Sequence, residues 1–528
     1  MPFTTLAFIG FFAALFFAYY AVPKRCQWWL LLVGSMFFYG YASPLYLLLL
    51  WATILVTYLG TFAVANVYAR RDEFLDRNRQ TLSREEKRRC KAGADRAARV
   101  WLAAVIVILL LTLGVFKYAQ FAIDNFLSLL GLVGVAVKSD VTVNVILPVG
   151  LSFYLFQSIG YCIDVYREEV PAERNLLKHA LFVSFFPQLL QGPIGNYGRL
   201  APQLMSGHAF SYEQAKFGLQ RVVWGFFKKL MIANVIADRI NPCWNAIGDY
   251  PGAFCWLAIL FLYAIQLYAD FSGYMDIACG CSQMLGIKLD ENFETPYFAK
   301  GIAEFWRRWH ITLGVWFKEY VFYPILRSDW NGRLRKRFVE SKYLANTVPT
   351  LAALLIVWSL IGLWHGADWS YLVYGLYHGG FIMASMSLAP VYERIHALSP
   401  RFFSSKAYAL FQMARTFLIV VIGYALFKPA DLGKTGCIVK ACCVGDFRES
   451  IVAVMHIFGR KSTAMIAAVI VLVVIDWLHF FVSGASLRER IGRLPGVVRW
   501  GIYLAGVLFV LFYGKYGAQY DQFEYFKF

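Results

Sequence analysis

Long apolar runs separated by short polar stretches dominate the sequence. A helix that crosses a bilayer needs about 20 predominantly apolar residues. Apolar runs that could form the cores of such helices occupy residues 6–20 (extendable to 22), 45–67, 100–115, 352–363, 407–427 and 464–481. The pattern predicts an all-α integral membrane protein with on the order of a dozen spans, some of them broken.

The middle third differs from both flanks because glycine, proline and polar residues interrupt its apolar runs. Examples are LPVGLSFYLFQSIGYCIDVYR, from residue 147, and FFPQLLQGPIGNYGRL, from residue 185. Irregular backbone is tolerated at membrane depth only where it lines a cavity or is buried in protein. We therefore expect re-entrant or half-spanning segments around a central tunnel. One polytopic domain over residues 1–528 is predicted, with core motifs at 147–379 and a further membrane region with an aromatic tail at 400–528.

Composition supports this class, since 59% of the residues are hydrophobic and only 16% are charged. The net charge of +18 does not indicate nucleic acid, because the basic residues lie between apolar runs as the positive-inside rule describes. The densest basic stretch, residues 70–99, is predicted to be a cytoplasmic, helical loop. Counting spans from it places the N-terminus outside, and basic residues 488–499 before a last span at 500–513 place the C-terminus outside. Arg460 and Lys461 would then fall on the outer side, against the rule.

A histidine stands inside an apolar segment, LIGLWHGADWSYLVYGLYHG at residues 360–379. Ionisable side chains are expensive in a bilayer, so His365 is a candidate catalytic residue, although a hydrogen-bonded core histidine remains an alternative. For His378, a functional role and a hydrogen-bonded core histidine are equally supported. Gly366 would let a substrate approach closely, and the Trp364 indole could donate to an oxyanion.

A second candidate segment is EFWRRWHITLGVWFKEYVFYP, which mixes basic and aromatic residues. The mixture predicts an amphipathic segment at a membrane interface. Trp306, Arg307 and Arg308 would either anchor the segment or bind the phosphates of an anionic acyl carrier. His310 is interpreted as functional.

Two carboxylates occupy the apolar, glycine-rich stretch YADFSGYMDIACGCSQMLGIKLDENFETPYF. We favour ion pairs over catalysis for Asp270 and Asp276. No metal site is predicted, because these carboxylates are too few for a cation and the cysteines lack zinc-ligand spacing.

The motifs DFSGYMDIA, ENFETPYFAKGIAEFWRRWHITLGVWFKEYVFYP and GLWHGADWSYLVYGLYHG resemble those of membrane-bound O-acyltransferases. The resemblance extends in order through residues 147–379 and is closest to the bacterial branch of alginate O-acetylation and teichoic-acid D-alanylation. It implies a polytopic bundle around a tunnel in the bacterial cell (inner) membrane. His365 matches the essential histidine of the family, and His310 matches its second common histidine.

The resemblance also implies the substrates and partners. The donor would be cytoplasmic acetyl-CoA or another acyl thioester, with no bound cofactor. The acetyl group would pass through the membrane to a cell-surface polysaccharide or peptidoglycan, by way of an extracytoplasmic SGNH-type or serine hydrolase-like transferase. A neutral imidazole at His365 would act as the general base.

The last residues, QFEYFKF, resemble a C-terminal aromatic motif of alginate-type members. Tyr525 is therefore a candidate acceptor that carries the acyl group temporarily, with an aromatic belt at the membrane interface as the equal alternative.

Two other functions stay open. D-alanyl transfer to teichoic acid is an alternative within the family, which the fused aromatic motif and the long C-terminal third disfavour. A secondary transporter would also contain broken helices and intramembrane charges, although no inverted repeat supports it.

Overall fold

The computed structural model describes residues 1–42, 44–134, 148–444, 446–459, 462–482 and 487–517. These residues form helices joined by short connections, and their only β-type pairing is one isolated bridge between Phe293 and Trp309. The predicted all-α class is confirmed. Contacts divide the chain into two compact units, residues 1–219 with 278–290, and residues 220–277 with 291–528. The assignment of one domain stays a prediction.

Among its described residues, the first unit contains nine complete α-helices in chain order and parts of two more. They are α1 (Leu6–Ala21), α2 (Gln27–Ala42), α3 (Pro44–Arg77), α4 (Arg84–Leu113), α5 (Ala119–Leu132), α6 (Leu151–Tyr166), α7 (Leu176–Ser184), α8 (Phe186–Leu189), α9 (Tyr197–Met205), the start of α10 (Tyr212–Phe227) and the end of α12 (Ala253–Met284). A π-helical turn, Gly114–Tyr118, joins α4 to α5.

The second unit contains the rest of α10 and α12 and every other helix. They are α11 (Asn234–Asn245), α13 (Ile302–Arg308), α14 (Ile311–Phe317), α15 (Tyr323–Arg327), α16 (Asp329–Arg337), α17 (Lys342–His365), α18 (Trp369–Ser387), α19 (Ala389–Leu398), α20 (Pro400–Phe403), α21 (Lys406–Phe427), α22 (Leu432–Cys442), α23 (Phe447–Phe458), α24 (Thr463–Phe481), α25 (Leu487–Gly492) and α26 (Gly496–Tyr513). Two π-helical segments, Lys228–Ala233 and Lys318–Phe322, interrupt this unit.

Seven helices in the described part of the chain are long and apolar enough to cross a membrane, or eight if the bent pair α18 and α19 forms one span. The described residues thus contain fewer helices of spanning length than the sequence predicts, which is on the order of a dozen. Several apolar runs form shorter helices, such as α1, α2 and α6 with 16 residues each. In the middle of the chain, α7, α8 and α9 have nine, four and nine residues, and the re-entrant segments stay a prediction.

The basic stretch at residues 70–99 forms a helical hairpin, as predicted. The end of α3 and the start of α4 enclose a short turn, and most of these side chains are exposed. Ser83 caps α4 in a capping box, in which its hydroxyl accepts from the amide of Glu86 and the Glu86 carboxylate accepts from the amide of Ser83. This reciprocal pairing satisfies two amides that the first helical turn leaves open.

Candidate active site

His365 is the last residue of α17, a helix that is apolar over most of its length, and only 3% of the residue is exposed. The helix ends there because Gly366 adopts an extended conformation, with φ −172° and ψ 162°. Asp368 then caps α18, its carboxylate accepting a 2.7 Å hydrogen bond from the amide of Ser370. The motif WHGAD is thus the tight turn of a helical hairpin, with the imidazole at its apex.

The two helices of this hairpin approach each other closely through glycine. A Cβ atom on Gly375 would stand 2.3 Å from the carbonyl oxygen of Trp358 and 2.9 Å from the Cα of Gly362. Distances this short exclude any side chain at residue 375. The hairpin therefore holds His365 and the start of α18 in one fixed arrangement.

Gly366 packs closely against α18. A Cβ atom there would lie 2.1 Å from the Tyr371 ring, so the space on that side of the glycine is already filled. The turn of the hairpin brings this tyrosine of α18 back onto the glycine. The approach of a substrate beside His365 at this glycine stays a prediction.

His310 lies between α13 and α14, 1% exposed, in the left-handed region with φ +47°. Non-glycine residues rarely adopt this conformation. Asn292 holds it in place: the Asn292 carboxamide oxygen lies 3.3 Å from Nδ1 of His310 and accepts 2.9 Å hydrogen bonds from the amide and hydroxyl of Thr312. Burial lowers the pKa of His310 to about 3, so the imidazole is neutral at physiological pH.

The Trp364 indole lies between the two histidines. Its ring centroid is 5.7 Å from that of His310 and 4.9 Å from that of His365, with T-shaped geometry in both pairs. The structure thus brings together His310 and His365, which are separated by a long stretch of sequence. All three side chains are buried.

His378 joins the same aromatic cluster from α18. Its ring lies 4.7 Å from Tyr374 and 5.1 Å from Trp306, both edge-on, and Tyr374 also contacts His365 with centroids 5.9 Å apart. His378 is fully buried, and neither of its ring nitrogens has a hydrogen-bond partner among the described residues. Aromatic contacts alone fix this imidazole within the part of the chain that the structure describes.

The two arginines predicted as anchors or phosphate ligands have different surroundings. Arg308 forms a 3.0 Å ion pair with Glu304 and donates to the carbonyl of Glu294, so its charge is already engaged. Arg307 is exposed, whereas Ile302 and Phe305 of the same helix are buried. The location of this segment at a membrane interface stays a prediction.

Both intramembrane aspartates form ion pairs, the interpretation that the sequence favoured. Asp270 lies 2.6 Å from Nζ of Lys229, and each of these side chains is 3% exposed. Asp276 lies 2.6 Å from Nζ of Lys228 and 2.8 Å from Nε of Arg221. The contacts engage both carboxylates outside the histidine cluster.

Sequence reasoning missed the cations of these pairs and one further carboxylate. The signal for Lys228 and Lys229 was present, as two adjacent lysines in the apolar run VVWGFFKKLMIANVI. Asp476, in the middle of the apolar α24, hydrogen-bonds to the hydroxyl of Tyr268. Tyr525 lies outside the described residues. Across the described ranges no three His, Cys, Asp or Glu side chains converge as metal ligands would.

Residues 167–427 match the membrane-bound O-acyltransferase family, a range that contains every candidate residue from Asp270 to His378. The probable alginate O-acetylase AlgI of Azotobacter vinelandii is 33% identical over 434 residues, which are 82% of this chain and 76% of that protein. The chain belongs to the membrane-bound O-acyltransferase family. It is accordingly an acyltransferase and a multi-pass membrane protein.

Relatives with other names also match. The peptidoglycan O-acetyltransferase of Helicobacter pylori is 30% identical over 457 residues, covering 81% of this chain and 76% of the relative. The teichoic acid D-alanyltransferase of Bacillus subtilis is 27% identical over 293 residues, covering 54% and 69%. The names of these relatives thus differ in the acyl group and in the acceptor. The residues around the histidines are therefore of interest as candidate determinants of that difference.

Proposed function

We propose that this acyltransferase takes acetyl groups from cytoplasmic acetyl-CoA and passes them across the membrane for O-acetylation of a cell-surface polysaccharide or peptidoglycan. The observation that carries the proposal is the contact of His310 and His365 with one buried indole, Trp364. The acetyl donor is favoured because relatives with 30% identity or more are named as an alginate O-acetylase and a peptidoglycan O-acetyltransferase. A bacterial cell membrane, with both termini outside, is part of the proposal.

His365 acts as the general base in this proposal. As the acceptor hydroxyl oxygen attacks the thioester carbonyl, the imidazole takes the hydroxyl proton, and a tetrahedral intermediate forms. The carbon–sulfur bond then breaks, and the imidazolium returns the proton to the departing CoA sulfur. Such general-base help contributes typically about 10² to 10⁴ in rate. Trp364 supplies an N–H to the oxyanion, and neutral His310 supports the donor end.

Tyr525 is the proposed temporary acceptor. Its phenolic oxygen attacks the thioester, and an acetyl-tyrosine ester forms as CoA leaves as the thiol. A hydroxyl of an extracytoplasmic partner of the SGNH or serine hydrolase-like class then attacks this ester, and the phenol regains its proton. The partner is included because the described part of the chain is helical membrane protein with short connections, without a folded outer domain to hold a polymer.

The test uses the purified full chain in nanodiscs with radiolabelled acetyl-CoA. Stoichiometric label on Tyr525 is expected, with loss of label in His365→Ala and in Tyr525→Phe. Tyr520→Phe is the matched control, since it removes another tail tyrosine and should keep the label. Labelled acceptor without any labelled tyrosine would overturn the relay.

Two further outcomes would overturn the acetyl proposal itself. Transfer from a D-alanyl carrier protein but not from acetyl-CoA would assign the chain to D-alanylation. Uptake of intact solute into proteoliposomes without any acyl transfer would assign it to transport.

A further inference from the structure

The last membrane helix, α26, runs along α10 and the π-helical segment that follows it. Three contacts mark its course in order: Gln220 donates a 2.5 Å hydrogen bond to the hydroxyl of Tyr503, the rings of Phe227 and Phe509 stack 6.3 Å apart, and the amide of Lys515 donates to the carbonyl of Leu230 at 3.1 Å. Only Val510 is buried within this fully described helix. The attachment therefore depends on a few specific contacts rather than on an extensive apolar face.

Three of the polar contacts of this region involve Lys515, just after α26. Its amide donates to Leu230, its carbonyl accepts a 3.0 Å hydrogen bond from the Asn234 carboxamide, and its ammonium lies 3.4 Å from the carboxylate of Asp238. Leu230 belongs to the π-helical segment Lys228–Ala233. A π-helical turn disturbs the regular helical hydrogen-bond ladder, and such turns often occur at functional sites. Leu230, Asn234 and Asp238 are called the Lys515 dock below.

The chain around Lys515 forms a closed turn. The amide of Gly514 donates a 2.9 Å hydrogen bond to the carbonyl of Val510, and the hydroxyl of Tyr516 donates to the same carbonyl at 2.7 Å. Tyr516 thus folds back over the end of α26, and its hydroxyl shares the Val510 carbonyl with the amide of Gly514.

An ion pair and an aromatic contact also link the same π-helical segment to the candidate active site. Lys229 pairs with Asp270 on α12, and the next residue of α12, Phe271, contacts the His310 ring edge-on with centroids 4.9 Å apart. A buried ion pair is rigid because separating it leaves a charge without compensation. The Lys515 dock is therefore built on an element whose position relative to His310 is fixed.

We infer that the Lys515 dock is an interaction site for the C-terminal turn Gly514–Tyr516 that positions the aromatic tail for acyl transfer. Asn234 and Asp238 are positioning residues, because they hold the point at which the tail starts and touch neither donor nor acceptor. The consequence for acyl transfer rests on the proposed function of Tyr525. The contacts of the Lys515 dock are independent of that proposal.

The first measurement is independent of the chemistry. Trypsin must bind its substrate in an extended form, and in the native chain both backbone groups of Lys515 are engaged. Asn234→Leu removes one hydrogen bond and should raise the rate of cleavage after Lys515 about fivefold. Asn234→Gln, which keeps the carboxamide donor, should raise it less. Cleavage within the exposed basic hairpin of residues 70–99 is the internal reference. An unchanged ratio of the two cleavage rates in Asn234→Leu would overturn the dock.

The second measurement uses acetyl transfer in nanodiscs. Asp238→Lys should lower kcat for transfer and leave the KM for acetyl-CoA unchanged, and the charge exchange Asp238→Lys with Lys515→Asp should restore kcat at least partly. A double variant no better than Asp238→Lys would overturn the positioning role. If Tyr525→Phe transfers normally while the trypsin result holds, the tail relay fails and the dock stands.

Discussion

Lys229 and Asp270 form an ion pair in which both side chains are almost completely buried, with nitrogen and oxygen 2.6 Å apart. Loss of one partner of a buried pair leaves an uncompensated charge and costs about 3 to 5 kcal/mol. Asp270→Ala should therefore lower the thermal unfolding temperature in detergent strongly.

The matched control replaces both members of this pair. Lys229→Met with Asp270→Leu leaves no buried charge, so its unfolding temperature should lie well above that of Asp270→Ala. If the double variant unfolds at the same temperature as the single variant, the cost does not come from the unpaired lysine.

Removing the imidazole of His365 should slow catalysis strongly without unfolding the protein. His365→Ala is expected to reduce the rate of acetyl transfer by about 10² to 10⁴. Thermal unfolding separates this effect from misfolding, and His378→Ala is the control, since it removes a second buried imidazole of the same cluster. Equal loss of rate in the two variants would contradict a special role for His365.

The packing of Gly366 against Tyr371 gives a steric prediction. Gly366→Ala forces a Cβ atom into the tyrosine ring and should destabilise the protein by about 1 to 3 kcal/mol, as overpacking does. Tyr371→Leu in the same chain should recover part of this loss, because the smaller side chain vacates the contact. Denaturant titration measures the stability of both variants. An unchanged free energy of unfolding in Gly366→Ala would show that the turn can adjust to the added methyl group.

The stability of the folded protein should decrease as the pH decreases, because His310 titrates. Burial lowers the pKa of the folded imidazole from 6.5 to about 3, so between these values the unfolded chain binds a proton that the folded protein does not. The contribution of this group is present above pH 6.5 and is lost as the pH falls towards 3. His310→Asn should flatten the dependence of the unfolding temperature on pH between 7 and about 4.5.

His179 titrates in the same window, since burial also lowers its pKa to about 3. The variant should therefore flatten the curve only in part. A pH dependence identical to that of the unchanged protein would show that His310 does not contribute.

The residues that stand out in the sequence alone are those whose chemistry conflicts with their surroundings. An imidazole within an apolar segment, at residue 365, and carboxylates in a glycine-rich apolar stretch, at 270 and 276, are conspicuous without any structure. Their partners were not found because they come from distant parts of the chain: Lys229 and Asp270 are 41 residues apart. The indole between His310 and His365 is a tertiary relationship of the same kind.

Two other expectations depended on local geometry that composition does not encode. A glycine beside His365 is compatible both with an open approach and with a close helix contact, and the Tyr371 ring shows that such a contact is made. The described residues contain fewer helices of spanning length than expected, because apolar runs of similar hydropathy become either long helices such as α17 or short ones such as α6. The positions at which such helices end depend on turns and on capping residues.

The glycine contact between α17 and α18 restricts how any reactant can reach the imidazole at the apex of their hairpin. If α17 and α18 moved apart, water would reach backbone that now lies in close contact with the other helix. No side chain is present at these glycines to fill the gap. The aromatic side chains around the apex include Tyr371 and Phe427, whose rings lie 5.5 Å apart. Side-chain rotation is fast compared with helix movement. Rotation of these rings is therefore the motion that changes the surroundings of His365 while the backbone of the turn stays still.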